Sequence, residues 1–86
     1  MPHKSHNEIV KRLKRASGHL DKIIEMIEKE TPCLDVAQQL QAVTNAIVNA
    51  KRVYVKDHIE HCLDAKALGP AQKKHIHEFK EITKYL

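Results

Sequence analysis

The sequence predicts an all-α fold of three helices in one domain spanning residues 1–86. Hydrophobic residues are 42% of the chain and aromatic residues only 3%, a balance typical of helix-on-helix packing by Leu, Ile, Val and Ala. Apolar residues recur at alternating steps of four and three, the period of an amphipathic α-helix. The three prolines, with Gly69 beside the last, divide the chain into three segments that each keep this period.

The first segment predicts a helix over about residues 5–29. Gly18 lies inside this helix, where glycine costs about 1 kcal/mol relative to alanine, so we expect a packing or close-approach reason for it. The apolar stripe of this helix consists of Ile9, Leu13, Ala16, Leu20, Ile23 and Ile27.

The second helix is predicted over about residues 33–66. Thr31 is the expected N-cap, Pro32 fits the first turn, and Asp35 lies near the positive end of the helix dipole. The stripe consists of Val36, Leu40, Val43, Ile47, Ala50 and Tyr54. A helix of thirty-odd residues extends about 45–50 Å, longer than a compact monomer of this size requires. We therefore expect an antiparallel four-helix-bundle dimer.

The third helix is predicted over about residues 71–84, with Ile76, Phe79 and Ile82 as its apolar side. Neither an internal repeat nor a stretch long and apolar enough for a membrane span occurs in the sequence. Two cysteines without a secretory signal indicate a cytoplasmic protein with reduced thiols. The sequence lacks a Ser/His/Asp set, paired catalytic carboxylates and a glycine-rich phosphate loop, so we do not expect an enzyme.

The net charge of +4 and a pI near 9.2 permit nucleic-acid binding without establishing it. On a helical projection, four cations of helix 1 fall within about 40° of one another, opposite the apolar stripe. We call Lys4, Lys11, Arg15 and Lys22 the basic row. Such a row is either a solvated face or a surface that follows DNA phosphates. The neighbouring cations that widen or extend it are Arg12, Lys14, Lys51 and Arg52.

One histidine and two cysteines suggest a metal site. His58 and Cys62 lie one helical turn apart on one face, a spacing by which two side chains hold one ion. Cys33 is about 37 Å from His58 along the same helix, so the three side chains cannot meet within one chain. In an antiparallel dimer, Cys33 of one subunit can join His58 and Cys62 of the other. Two thiolates and an imidazole suit Cu(I), and with another nitrogen or oxygen ligand also Zn(II), Ni(II) or Co(II).

Other histidines are candidates for supporting roles. His3 and His6 can supply a further ligand from the N-terminal arm, whereas His61 points away from Cys62 toward solvent or a position behind the ligands.

The segments Arg12–His19, Cys33, Gln38–Val43 and Asp57–Cys62 together resemble the copper-sensitive operon repressor family, which includes nickel/cobalt and formaldehyde sensors. The resemblance spans nearly the whole chain in the same order. It implies an all-α dimer of dimers whose apo form binds operator DNA. It also implies that the inducer releases the DNA, so that an efflux or detoxification gene is transcribed.

Carried over by position, Cys33, His58 and Cys62 match the ligand set of the copper sensors. His3, and less directly His6, resembles the N-terminal histidine of the nickel/cobalt branch. With this resemblance, Glu78 or Glu81 of the third helix is expected to hydrogen-bond the free nitrogen of His58 and so link metal binding to DNA affinity.

The formaldehyde branch pairs an N-terminal proline, here Pro2, with the cysteine matching Cys33. A persulfide sensor would use Cys33 and Cys62 alone, and His58 argues against it. The alternative from another class is a metal-storage bundle that never binds DNA. His19 and Thr44 depart from the family pattern, in which glutamine and, in some members, a basic residue occupy these positions.

Overall fold

The computed structural model describes the backbone of residues 4–64 and 71–86 and the side chains of residues 5–60 and 76–86. It contains three α-helices, α1 (Lys4–Glu28), α2 (Cys33–Asp64) and α3 (Ala71–Ile82), followed by a short 3-10 turn, Thr83–Tyr85. No strand occurs within these ranges, and the predicted all-α fold of three helices is confirmed. Helix 2 was expected to reach residue 66, which lies outside the described residues.

The turn between α1 and α2 is closed by backbone hydrogen bonds. Glu30 has a φ of 57°, and the Thr31 amide donates to the Met26 carbonyl at 2.9 Å, as in a Schellman C-cap. The amide of Val36 then donates to the Pro32 carbonyl at 3.2 Å. Pro32 therefore supplies the first carbonyl of α2 and stands at the N-cap, one residue after the expected Thr31.

The core lies between α1 and α2, which run antiparallel. Ala16 and Ile23 of α1 form a cluster with Val43 of α2, and the half-buried Val36 packs against it. Ile9, Ala50 and Val55 are also buried. The chain measures 59 × 23 × 14 Å, so much of it is only one helix pair thick.

The two predicted apolar stripes each divide into a buried and an exposed series. In α1 the buried Ile9, Ala16 and Ile23 alternate with residues of greater exposure: Leu13 at 45%, Leu20 at 38% and Ile27 at 56%. In α2 the exposed fractions of Leu40, Ile47 and Tyr54 are 42%, 40% and 44%. Two shared grooves, one lined by Leu13, Ile47 and Tyr54 and one by Ile27 and Leu40, show that both series lie on one side of the helix pair. We call this surface the apolar face; it consists of Val10, Leu13, Leu20, Ile24, Ile27, Leu40, Ile47 and Tyr54.

Candidate metal centre and nucleic-acid interface

The candidate ligands occupy the two ends of α2. Cys33 is its first residue, and His58 and Cys62 belong to its last turns. Counted at 100° per residue, positions 33, 58 and 62 fall within about 40° of one another around the helix axis. The same projection puts them on the side of α2 that carries the apolar face, because Leu40 and Ile47 fall within or next to this sector. The side chain of Cys62 lies outside the described part of the chain.

The Cys33 thiol is exposed and is not part of a disulfide. It opens onto a shallow groove at the α1–α2 turn, whose walls are mainly the apolar side chains of Ile27, Val36 and Leu40. Among the residues whose side chains are described, no group of three His, Cys, Asp or Glu side chains comes close enough to hold a metal ion. Cys33 therefore belongs to no group of three potential ligands within the described part of its own chain.

His58 is half-buried where α3 packs beside α2. It lines a groove with Glu78 and Glu81, the two carboxylates that the sequence predicted as its hydrogen-bond partners. His77 and Tyr85, both exposed, line the same groove. Glu81 also forms an ion pair with Lys84 at 3.0 Å. Two carboxylates thus line the same groove as the candidate ligand His58.

His6 lies in the first turn of α1 rather than in a separate arm. Its ring stacks on Tyr54, with 5.5 Å between ring centroids, and its Nε2 atom lies 4.0 Å from Oδ2 of Asp57. These contacts bring His6 against α2 one residue before His58. Pro2 and His3 lie outside the described residues, as do the side chains of Lys4 and His61.

The cations of α1 occupy the side of the helix away from the core. Lys11, Lys14, Arg15 and Lys22 are all exposed. Arg12 is partly buried, and its Nε lies 3.6 Å from a carboxylate oxygen of Glu8. Arg12 and Arg15 line one wall of a groove between α1 and α2, which we call the basic groove; it is formed by Glu8, Arg12, Arg15, Ala16, His19, Ala46 and Asn49.

The two cations of α2 predicted to extend the basic row lie in different places. Arg52 is exposed. Lys51 lines a groove with Val10, Ile47 and Tyr54, so it borders the apolar face instead of the basic groove.

His19 joins the two helices. Its Nε2 lies 2.6 Å from Oε1 of Gln39, a hydrogen bond across the α1–α2 interface in which the protonated nitrogen donates to the amide oxygen. The sequence marks His19 as a departure from the family pattern but gives no sign of Gln39 as its partner, because the two are twenty residues apart.

Over the part of the chain that the structure describes, no helix combines the length and apolar character needed to cross a membrane.

Several known proteins resemble this chain over most of its length. The copper-sensing transcriptional repressor CsoR of Mycobacterium ulcerans (strain Agy99) is 40% identical over 86% of this chain, which spans 63% of that relative's length. The Bacillus subtilis (strain 168) copper-sensing repressor CsoR is 35% identical, with 94% of this chain and 84% of the relative covered. The solved structure of the nickel-responsive transcriptional regulator InrS matches with a TM-score of 0.80 at 28% identity, over 100% of this chain and 98% of that one.

The family model described as metal-sensitive transcriptional repressor matches residues 5–85, nearly the whole sequence. The members of this family are regulators of transcription and not enzymes. The chain therefore belongs to the metal-sensitive transcriptional repressors.

Proposed function

We propose that this protein binds operator DNA in the cytoplasm as apo-protein and is released when a transition metal binds. Release derepresses genes of metal efflux or detoxification. Cu(I) is favoured over Ni(II) and Co(II), because thiolates are soft ligands and two of them with an imidazole satisfy a three-coordinate Cu(I) ion. Relatives named as copper-sensing repressors support this preference, whereas the nickel-responsive neighbour supports the alternative.

The observation that carries the proposal is the spacing of the exposed apolar residues on α2, which sets how two copies of this helix can pair. Leu40, Ile47 and Tyr54 are spaced seven residues apart on α2, and all three are exposed. This is the spacing of a helix–helix seam. A two-fold axis at Ile47 pairs two copies of α2 antiparallel, with Leu40 of each copy opposite Tyr54 of the other.

The same register sets the position of the candidate ligands. In a pair centred on residue 47, position 33 of one copy is level with position 61 of the other. Cys33 then lies between His58 and Cys62 of the second copy in the direction of the helix axis. All three positions fall on the side of α2 that faces the pair. The exposed thiol, which belongs to no group of three potential ligands in the described part of its own chain, would thus gain two ligands from the second copy. Each dimer would contain two equivalent sites.

The choice of metal depends on further ligands near His58. Nickel and cobalt require more nitrogen or oxygen donors than the Cys-His-Cys set provides. His6 already packs against Tyr54 and lies beside Asp57, so it is near the His58 end of α2. Its engagement in these contacts favours the three-ligand site and hence Cu(I).

The groove around His58 supports the link between metal and DNA. An imidazole that uses one nitrogen as a ligand donates a hydrogen bond from the other, and a carboxylate is a common acceptor. Glu78 and Glu81 line the groove with His58, so either can accept this bond and draw α3 against α2. Any such shift that differs between the DNA-bound and the metal-bound form couples the two ligands, typically by about 1–3 kcal/mol.

The basic row and Arg12 support DNA binding. Lys11, Arg15 and Lys22 are exposed on the side of α1 away from the apolar face, so pairing through that face leaves them accessible. A storage protein has no use for such a row. For the apo-protein we expect an affinity for DNA that falls steeply with salt, because each phosphate contact releases a counterion.

The test is operator binding by the reduced apo-protein without oxygen, titrated separately with Cu(I), Ni(II), Co(II), Zn(II) and formaldehyde. Cu(I) is expected to release the DNA, and Cys33→Ala and His58→Ala are expected to abolish this release without weakening apo binding. Release by formaldehyde that survives His58→Ala would instead indicate a sensor using Pro2 and Cys33. Failure of the apo-protein to bind any DNA would contradict the repressor function and leave a metal-storage bundle.

A further inference from the structure

The surface of α2 beside the basic groove carries amide side chains. Gln38, Asn45 and Asn49 are exposed and fall within about 40° of one another around the helix, and Arg52 and Lys56 continue the same line. We call Gln38, Asn45 and Asn49 the amide stripe. It lies on the side of α2 away from the apolar face, so pairing through that face leaves it open.

One residue of this stripe has a side-chain hydrogen bond, and another shares a groove with the cations of α1. Nε2 of Gln41 donates to Oδ1 of Asn45 at 2.9 Å, which leaves the Asn45 NH₂ group free to donate elsewhere. Asn49 lines the basic groove together with Arg12 and Arg15, so an amide and two guanidinium groups surround one concave surface. Ala16 and Ala46 also line this groove, and their small side chains allow a ligand to approach the helices closely.

The charge of this surface suits a polyanion. Between Asp35 and Asp57, α2 contains no acidic residue, while Arg52 and Lys56, on the same line as the stripe, are basic. Glu8 is the one carboxylate among the residues lining the basic groove, and its ion pair with Arg12 partly neutralises it. Arg15 remains as a cation at the groove without an acidic partner among the described ion pairs.

Amides and guanidinium groups make different contacts with DNA. Arginine binds phosphate oxygens strongly irrespective of sequence, whereas an Asn or Gln amide can pair with N6 and N7 of adenine, one donor and one acceptor on one base edge. An exposed helix that combines neutral amides with flanking cations therefore has both elements of sequence-specific binding.

We propose that Asn49 and Asn45 contact base edges in the major groove and prefer adenine, while Arg15 and Arg12 hold the adjacent phosphates. This inference rests on the proposed function as a DNA-binding repressor. It assigns to α2 the choice of operator sequence and to α1 the sequence-independent part of the affinity.

The test begins with selection of preferred duplexes from a random-sequence DNA pool by apo-protein. Affinities for the selected duplex and for a scrambled duplex are then measured over a range of salt concentrations. Asn49→Ala is expected to lower the ratio of the two affinities by roughly 5- to 150-fold, the value of one bidentate base contact, with an unchanged salt dependence. Repeating the selection with this variant is expected to relax the preference at one A·T position.

Arg15→Ala is the contrasting variant and Asn7→Ala the matched control. Arg15→Ala is expected to weaken both duplexes equally and to reduce the slope of log K against log salt by about 0.9. Asn7→Ala removes an exposed amide near the start of α1, outside the stripe and the basic groove, and is expected to change neither quantity. If Asn49→Ala and Asn45→Ala proteins still bind DNA with the wild-type affinity ratio, the base-reading role is wrong and the repressor function stands. If the wild-type apo-protein binds no duplex, both proposals fail.

Discussion

Glu30 adopts a backbone conformation that a residue with a Cβ atom occupies at a cost. Its φ of 57° is in the left-handed region, where glycine avoids a penalty of about 1–2 kcal/mol. Glu30→Gly is therefore expected to raise the free energy of unfolding by about 0.5–1 kcal/mol, since the greater freedom of glycine in the unfolded chain offsets part of the gain. Urea denaturation followed by circular dichroism measures this change.

Glu28→Gly is the control for this prediction. Glu28 is the last residue of α1, where glycine weakens the helix by up to about 1 kcal/mol relative to an ordinary residue. The two glycine variants, two positions apart, should therefore shift stability in opposite directions. A destabilised Glu30→Gly protein would contradict the account of the turn.

The hydrogen bond between His19 and Gln39 shows what single residues do not reveal in a sequence. His19 was conspicuous because it departs from the family pattern, but a side-chain contact between two helices depends on how those helices pack. Local spacing predicts neighbours within a helix, such as the Glu8–Arg12 pair, and not neighbours across an interface. The role of His19 at the rim of the basic groove thus became visible only in the structure.

At the scale of the element, the surroundings of Gly18 differ from the expectation that another group packs closely against it. No atom in the described part of the chain, the local helix backbone aside, lies within 4 Å of the position that a Cβ would occupy. Gly18→Ala is therefore expected to stabilise α1 by about 1 kcal/mol, because alanine is the better helix former and meets no obstacle. Thermal unfolding of the apo-protein measures the effect, with Ser17→Ala as a neighbouring control.

DNA binding by the same variant adds a second measurement. Gly18 falls next to Lys11 on the helical projection, so it belongs to the side of α1 that carries the basic row. A loss of stability on Gly18→Ala would show that a second copy of the chain covers this position. A gain in stability with a loss of DNA affinity would place the close approach in the DNA complex instead.

The period of the apolar residues predicted the helices well but did not separate their two apolar surfaces. A stripe with steps of four and three contains two interleaved series, and within each series the residues are seven positions apart. In α1 one series packs against α2 and the other remains exposed within the single chain. Both series look alike in a sequence, because burial within the chain and burial against a second copy require the same apolar side chains.

At the scale of the whole molecule, the apolar face makes assembly testable. Ile47 stands at the centre of the proposed α2 pair, where a two-fold axis brings both copies of a residue together. Ile47→Glu places two carboxylates in an apolar contact and is expected to convert the dimer into monomers, as measured by sedimentation velocity. Gln38→Glu introduces the same charge on the amide stripe and is expected to leave the dimer intact. A dimeric Ile47→Glu protein would contradict the register.

The proposed metal site depends on the proposed assembly, and this dependence limits how far the sequence could predict the site. The spacing of His58 and Cys62 and the length of α2 were sufficient to suggest that Cys33 joins them from another copy. The register of the proposed α2 pair could not be predicted from the sequence, because it follows from which apolar residues remain exposed after α1 has packed. The identity of the metal depends on ligands that each ion can recruit and on its availability, neither of which is encoded in the spacing alone.

The most direct test of the account uses a heterodimer of two inactive variants. Cys33→Ala and His58→Ala chains are co-expressed with different tags, and the dimer that carries both tags is isolated and titrated anaerobically with Cu(I) against a competing chelator. Each homodimer is expected to bind Cu(I) weakly, because both of its sites lack a ligand. The heterodimer combines Cys33 from one chain with His58 and Cys62 from the other at one of its two sites, so about half of the wild-type tight binding is expected to return. A heterodimer that binds Cu(I) as weakly as both homodimers would contradict a site shared between subunits.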